Sequence, residues 1–308
     1  MSIKVQNITK LYGHQKALDN VSFDIKSGEI VGFLGPNGAG KTTLMKILTG
    51  FIPPSSGDVF INGKNVLENS MEVRKIIGYL PEQNPLYLDM YIVEFLNFVA
   101  GIYKIKNRVK RIEEVVYLTG LEPEINKKIS SLSKGYRQRV GLAQAIIHDP
   151  EVLILDEPTS GLDPNQIVEI RNLIQNLGKE KTVLLSTHIM QEVDAICDRI
   201  VIINNGVLVA DDSTGDFHSI GKNITGTLLI ELAKVAEEKD IKSIKGVKKV
   251  VNVSGAKYIV EFDASLDIRT DVFNFAVKSN NTVLSMQIKE KTLEQVFSEL
   301  TTKTHKSK

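Results

Sequence analysis

Residues 35–42, Gly-Pro-Asn-Gly-Ala-Gly-Lys-Thr, constrain this 308-residue chain more than any other stretch. They satisfy the spacing G-x-x-x-x-G-K-[ST] at every fixed position. The flanks agree with the motif. Glu29-Ile30-Val31-Gly32-Phe33-Leu34 is a short apolar run of strand type, and Thr43 to Thr49 carries apolar residues at helical spacing before stopping at Gly50. Strand, glycine loop and helix in that order require an α/β core. A chance match arises in roughly one chain in a hundred of this length at average glycine content, and the flanks make it rarer still.

The order has a chemical meaning. A triphosphate needs many donors in a small concave space. Gly35, Gly38 and Gly40 let the backbone curl so that its N–H groups point inward, with Pro36, Asn37 and Ala39 filling the positions between them. The helix N-terminus adds unpaired N–H groups and the positive end of a dipole. Lys41 is expected to reach the β- and γ-phosphates, with Thr43 beside it in the first turn. The Thr42 hydroxyl is expected to ligate Mg²⁺, which keeps several waters and takes few protein ligands.

Bulk properties narrow the class. The length implies about two domains. A net charge of +1 gives no general attraction to nucleic acid or acidic lipid, so no nucleic-acid partner is expected. The single cysteine, Cys197, excludes an internal disulfide framework and suits a reducing compartment. No apolar run reaches the ~18 residues of a membrane span, and Met1–Asn7 lacks the apolar core of a secretory signal. The expected location is cytoplasmic, with any membrane spans supplied by another chain.

Along the chain, residues 2–34 alternate apolar runs with turns and read as an antiparallel β region feeding the first parallel strand. Strands are also predicted at Asp58–Gly63 and Ile76–Pro81. From about residue 86 to 135 the texture turns helical. Ile92, Phe95, Leu96, Val99 and Ile102–Tyr103 share one face, and Val109 to Leu118 repeats the period. Val152–Asp156 is a continuous apolar run of the kind buried in a parallel sheet. A helix (164–177), a strand (182–186), a helix (190–197) and a hairpin (199–210) with an Asn-Gly turn follow. Beyond a polar connection, residues 221–308 read strand, helix (about 235–244), strand, strand, helix, strand. That order is ferredoxin-like. A last helix carries Leu293, Val296, Phe297 and Leu300, and the tail Lys303–Lys308 is basic.

Asp156 ends a buried strand and Glu157 follows it. Ligands of parallel sheets sit at the carboxyl ends of strands, beside the glycine loop. Asp156 is therefore placed to hold Mg²⁺ through water, and Glu157 to polarise an attacking water. Residue types alone leave open an ordinary carboxylate pair in a βα loop. His188 ends the next apolar strand, where a structural histidine and a γ-phosphate contact read equally well.

With these motifs in place, residues 2–210 resemble the ABC transporter nucleotide-binding subunits. Leu132-Ser133-Lys134-Gly135-Tyr136-Arg137-Gln138-Arg139 is similar to the family signature, and Ser160-Gly161-Leu162-Asp163 to its D-loop. The resemblance implies a P-loop NTPase cassette at residues 1–220, with a mixed sheet, an antiparallel β region and a helical subdomain, followed by a small α+β domain. It implies ATP and Mg²⁺ as cofactors. It makes Glu157 and His188 catalytic, stacks Tyr12 on adenine, and gives Gln83 to Mg²⁺ with Thr42 and Asp156. Ser133 and Gly135 would close over the γ-phosphate of a second copy in an ATP-dependent head-to-tail homodimer. Lys134 and Tyr136 depart from the commonest signature, which reads as subfamily character or as weakened closure. Leu-Ser-Lys-Gly resembles ABC-2 type exporters, whose permease is a separate chain. The subunit would then sit at the inner face of the cytoplasmic membrane, with Gln83 and the helical region carrying the coupling contacts. The C-terminal unit resembles that of gliding-motility-associated ATP-binding subunits, and reads either as a regulatory or dimer-supporting module or as a structural cover. The rival is a soluble ABC ATPase acting on ribosomes or nucleic acid, but such chains carry two cassettes or long heptad arms, and neither is present.

Overall fold

The computed structural model describes residues 1–215, 226–263 and 266–289. The chain forms two compact units, Met1–Ser213 and Thr214–Lys308. The first begins with the hairpin β1 (Ile3–Tyr12) and β2 (Gln15–Ile25), then β3 (Ile30–Leu34), the glycine loop and α1 (Lys41–Leu48). β4 (Ser56–Ile61), β5 (Lys64–Asn65), α2 (Ser70–Ile76) and β6 (Ile77–Leu80) follow. β1, β2, β4 and β5 make an antiparallel sheet in the order β2-β1-β4-β5. Ile3, Val5 and Ile8 of β1 face Leu18, Val21, Phe23 and Ile25 of β2 on its buried side.

The helical region comprises α3 (Ile92–Ile102), α4 (Arg108–Thr119) and α5 (Lys134–Ile146). After it come β7 (Val152–Asp156), α6 (Pro164–Gly178), β8 (Thr182–Thr187), α7 (Met190–Ile196), β9 (Arg199–Asn204) and β10 (Val207–Ser213). The main sheet runs β10-β9-β3-β8-β7-β6, parallel except for the edge strand β10. Every residue of β3, β7 and β8 is buried, as expected of parallel strands covered on both faces. One core joins the two sheets to α1. Leu44, Met45, Ile47 and Leu48 pack with residues of both, and the Phe23 and Phe33 rings lie 5.7 Å apart.

Two local expectations need correction, and one helix was not expected. α3 buries Ile92, Phe95, Leu96, Val99 and Ala100, but Ile102 is exposed, because the chain leaves the helix through Tyr103 and the left-handed Lys104. On α4 the buried face is Ile112, Val115, Val116 and Thr119, while Val109 and Leu118 face outward. α2 lacks an apolar period and buries only Val73, so no local pattern announces it.

The Asn205-Gly206 turn has φ of +49° and +78°, as a two-residue hairpin with the right-handed strand twist requires. It does more than reverse the chain. The Gly206 N–H donates to the Ala39 carbonyl at 3.0 Å, and its own carbonyl accepts from the Asp19 N–H at 2.8 Å. The turn thus ties the glycine loop to β2.

The second unit contains β11 (Gly226–Leu232), α8 (Glu238–Lys242), β12 (Val247–Ser254), β13 (Lys257–Phe262), α9 (Arg269–Lys278) and β14 (Val283–Lys289). Its sheet is antiparallel in the order β12-β13-β11-β14. Each helical crossover therefore skips one strand, which is the ferredoxin-like arrangement. Leu228, Ile230, Tyr258 and Val260 pack with Ile241, Val272 and Ala276 on one face. The helix expected over 235–244 shrinks to Glu238–Lys242. Both backbone groups of Ala236 are engaged by the buried Tyr258 hydroxyl, at 2.8 and 2.7 Å, which holds that residue outside the helix. Leu293, Val296, Phe297, Leu300 and the Lys303–Lys308 tail lie outside the described residues. No helix among the described residues is long and apolar enough to cross a membrane.

A Cβ at Gly206 would lie 2.8 Å from the Ala17 carbonyl oxygen, whereas one at Gly13, also left-handed, meets nothing within 4 Å. Gly206→Ala is expected to cost about 2–3 kcal/mol and Gly13→Ala about 1 kcal/mol. Urea unfolding measures both, and equal losses would mean that the turn does not clamp the loop.

Candidate nucleotide site

Close approach of backbone forces the glycines of the loop. A Cβ at Gly35 would stand 2.5 Å from the Ile203 carbonyl oxygen, and one at Gly40 2.5 Å from that of Ala17. Gly40 is the N-cap of α1 in the left-handed region, at φ +110°, and offers no side chain of its own. The first N–H groups of α1, from Lys41 to Thr43, have no intrahelical acceptor and point into the loop's hollow, as at any helix start. Lys41 is buried. Its ammonium donates to the Gly35 carbonyl at 2.8 Å and the Pro36 carbonyl at 3.3 Å, and stands 3.3 Å from Glu157 Oε1.

The acidic pair arrives from the neighbouring strands. β7 and β8 are in register, Asp156 opposite Ser186. Asp156 is wholly buried, and its Oδ1 accepts from the Ser186 hydroxyl at 2.5 Å. Its Oδ2 is buried with no hydrogen-bond partner. Burial holds this carboxyl above the usual carboxylate range, the Ser186 and Thr42 hydroxyls pull it back, and Glu82 adds repulsion. An orphaned buried carboxylate oxygen beside a threonine hydroxyl fits a hydrated Mg²⁺, which needs only one or two protein oxygens. Among the described residues no cluster of three or more His, Cys, Asp or Glu forms another metal site.

Glu157 is left-handed at φ +49°, a conformation that costs a non-glycine residue about 1 kcal/mol or more. Its N–H donates to the Ser186 hydroxyl at 3.1 Å and carbonyl at 3.2 Å. Turned this way, the side chain sets Oε1 against Lys41 and Oε2 2.9 Å from His188 Nδ1. Lys41, Glu157 and His188 thus form one line of charge and hydrogen bonding at the strand ends.

Gln83, Thr42 and Asp156 line one cavity of 900 Å³, together with Lys46, Phe51, Arg74, Tyr103 and His148. On its far wall the Tyr103 and His148 rings stack at 3.9 Å, and His148 Nε2 meets the Ile77 carbonyl at 2.9 Å. Burial lowers the His148 pKa to about 4, so the ring is neutral. Tyr12 stands outside this cavity, at the exposed tip of the β1–β2 hairpin, with the Lys10 ammonium 5.4 Å over its ring. That hairpin also presents Ala17 to the glycine loop.

The signature residues are not brought to the cavity. Ser133 is the N-cap of α5, its hydroxyl accepting from the Tyr136 N–H at 3.3 Å, and the buried Gly135 lies against Gln166. Within one chain they neighbour the segment 160–163, where the Lys134 ammonium covers Gly161. The structure therefore gathers Lys41, Thr42, Gln83, Asp156, Glu157 and His188, and sets Ser133 and Gly135 apart.

Sequence reasoning missed Ser186, which braces both carboxylate residues, and Gly206, which braces the loop. A hydroxyl at the end of a buried strand directly before Thr187-His188 was the available signal for the first.

A family model described as ABC transporter matches residues 18–160. The bacitracin transport ATP-binding protein BcrA of Bacillus licheniformis is 42% identical over 68% of this chain and 69% of its own. The linearmycin resistance ATP-binding protein LnrL of Bacillus subtilis is 31% identical over 98% of this chain and 99% of its own. Among solved structures, the dimeric post-hydrolysis state of the ATP-binding cassette MJ0796 bound to ADP and Pi aligns with a TM-score of 0.63. It shares 29% identity and covers 69% of this chain and 98% of that one.

A carboxyl whose pKa is raised on folding binds more protons in the native than in the unfolded chain. Its contribution to stability is therefore lost as pH rises above the ordinary carboxylate range. Asp156→Asn is expected to melt, without nucleotide, at or above the wild-type temperature at pH 7. Its advantage should vanish at about pH 4 and below, and Mg²⁺-dependent hydrolysis should be lost. A variant less stable than wild type at pH 7 would contradict the assignment.

Proposed function

This chain belongs to the ABC transporter family of ATP-binding subunits, and we propose that it energises an ABC-2 type exporter through a head-to-tail homodimer that encloses two ATP molecules. Subunits of this family are ATPases that work with membrane permeases. The observation that carries the dimer reading is the one-sided site. Lys41, Glu157 and His188 form one line of contacts, Thr42 and Asp156 share a cavity with Gln83, and the Ser133–Gly135 end of α5 belongs to neither. A second copy facing the first would bring its own Ser133 and Gly135 to that open side. That the similar MJ0796 cassette is dimeric in a post-hydrolysis state supports a pairing of two copies.

Each residue then has a task. The N–H groups of the glycine loop and of α1 grip the phosphates, and Tyr12 offers a flat face to the base. Thr42 and Gln83 would hold Mg²⁺, with Asp156 acting through water, and the ion would supply positive charge to the phosphate oxygens. Lys41 exchanges the Gly35 and Pro36 carbonyls and Glu157 for phosphate oxygens. Released from the lysine, Glu157 is free to accept a proton from the attacking water. His188 holds Glu157 through Nδ1 and keeps the imidazole at the γ-phosphate end of the site. Loss of the γ-phosphate removes contacts from both copies at once, which loosens the sandwich.

The exporter reading rests on the Leu-Ser-Lys-Gly signature and on relatives whose names concern bacitracin transport and linearmycin resistance. The second relative matches almost the whole chain, so the C-terminal module belongs to the likeness. A separately encoded permease would hold the subunit at the inner face of the cytoplasmic membrane. It would meet the cavity of Gln83 and Tyr103 beside the helical region. The gliding-motility likeness names one system that such a subunit could serve. In this reading the C-terminal module regulates or supports the dimer.

Glu157→Gln is expected to bind ATP, elute as a dimer in gel filtration with ATP, and hydrolyse poorly; a persistent monomer would remove the sandwich. Lys41→Ala is expected to weaken ATP binding roughly 10- to 100-fold, equivalent to about 1.5–3 kcal/mol for a charge-assisted contact. Nucleotide titration reads the change, and unchanged affinity would contradict the loop assignment.

A further inference from the structure

Glu192, on α7, is a fully buried carboxylate that none of the steps above uses. Both of its oxygens are taken by hydroxyls. Oε1 accepts from Thr159, and Oε2 accepts from Thr187 at 2.7 Å. The two threonines are themselves buried. Thr187 immediately precedes His188, and its oxygen also accepts from the Ile189 N–H at 3.0 Å on the other side of that histidine. Thr159 stands two residues after Glu157, in a turn closed by Ser160 N–H to the Glu157 carbonyl at 3.1 Å. One carboxylate therefore fastens the segment following Glu157 to both flanks of His188.

Three considerations give this strut a role in hydrolysis rather than in folding alone. Glu157 is left-handed, and an L-residue held at positive φ relaxes unless its surroundings determine it from both sides. Ser186 holds its N–H side, and the Thr159–Glu192 bond holds the chain beyond its carbonyl. Lys41 also holds Glu157, at 3.3 Å, but in the function proposed above, on which this inference rests, that contact is given up when the lysine turns to phosphate. From then on, the 2.9 Å contact of Glu157 with His188 depends on the loops behind the two residues. Burying a carboxylate is costly unless strong donors satisfy it, and two hydroxyls from two different site loops do so here.

We propose that Glu192 is a positioning residue for ATP hydrolysis. Through Thr159 and Thr187 it locks the Glu157 and His188 loops together, and so keeps the general base aimed at the water after Lys41 has left it. It touches neither nucleotide nor metal, so it should govern turnover and leave ATP affinity alone.

The test uses the full chain and compares Glu192→Ala, Glu192→Gln and Thr187→Val with wild type and with Glu157→Gln as the inactive control. Turnover at saturating ATP, ATP affinity and melting temperature are measured on each. Glu192→Ala is expected to lower kcat by about tenfold or more while ATP affinity stays within about threefold. Glu192→Gln keeps one acceptor oxygen and should recover part of the rate. Thr187→Val matches its parent in shape and should lower kcat by about three- to tenfold at unchanged affinity. It decides the matter should Glu192→Ala fail to fold. A folded Thr187→Val or Glu192→Ala with wild-type turnover would overturn the proposal. So would a parallel loss of kcat and affinity, which marks a merely structural role. Hydrolysis by wild type but not by Glu157→Gln keeps the outcome separate from the assignment of the site itself.

Discussion

The structure turns on one buried contact, the Lys41 ammonium against the Glu157 carboxylate. Two opposite charges out of water are tolerable only while each has partners. Lys41 also has the Gly35 and Pro36 carbonyls, and Glu157 also has His188. Every charge in the arrangement therefore has a partner. In the proposed mechanism a phosphate would take the lysine and leave the carboxylate facing the attacking water, which would join binding and catalytic competence in a single exchange of partners.

The fold exists around that contact in a definite sense. Lys41 opens α1 at the end of β3, and Glu157 and His188 follow β7 and β8. These three strands are neighbours in the sheet, in the order β3-β8-β7, so their carboxyl ends lie side by side. Complete burial of the strands fixes the ends in place, because a slip of any one would leave backbone groups unpaired between two covered faces. The strained turn at Glu157 and the close backbone approaches at Gly35 and Gly40, where a Cβ would meet a carbonyl oxygen at 2.5 Å, are then borne by a rigid sheet and by the clamp at Gly206.

What the sequence displayed and what it concealed follow from the range of the forces involved. The glycine loop, the buried strand before Asp156 and the Asn205-Gly206 turn are legible because their causes are local: backbone dihedrals, periodicity and turn chemistry. The ferredoxin-like order of residues 226–289 is legible for the same reason. The clamp from Gly206 to Ala39 joins residues 167 positions apart, and no local pattern announces it. Nor does anything near Glu192 mark it as the partner of Thr159; on a short helix it reads as one more surface acid. Tyr103 caps α3 instead of continuing its buried face, and its ring stacks on His148, a residue 45 positions away that no local period reveals.

The departures in the signature acquire a physical setting in the same terms. Lys134 replaces a small residue, and its ammonium lies over Gly161, where any side chain would collide with it at 2.0 Å. Tyr136 receives the Arg139 guanidinium at 5.8 Å over its ring, and Arg139 in turn donates to the Thr119 carbonyl at 2.8 Å at the end of α4. Tyr136 thus finds a partner within its own chain, while the Lys134 ammonium lies over Gly161. Ser133 remains an exposed N-cap and Gly135 keeps its bare backbone against Gln166. Gly161 is left-handed at φ +69°, which suits a glycine whatever lies over it. The segment 160–163 that accommodates the signature is also the one that continues from Thr159, so the end of α5 and the Glu157 loop share a boundary within each copy. A signal from the far site of a dimer would cross a few residues of backbone to reach the near one.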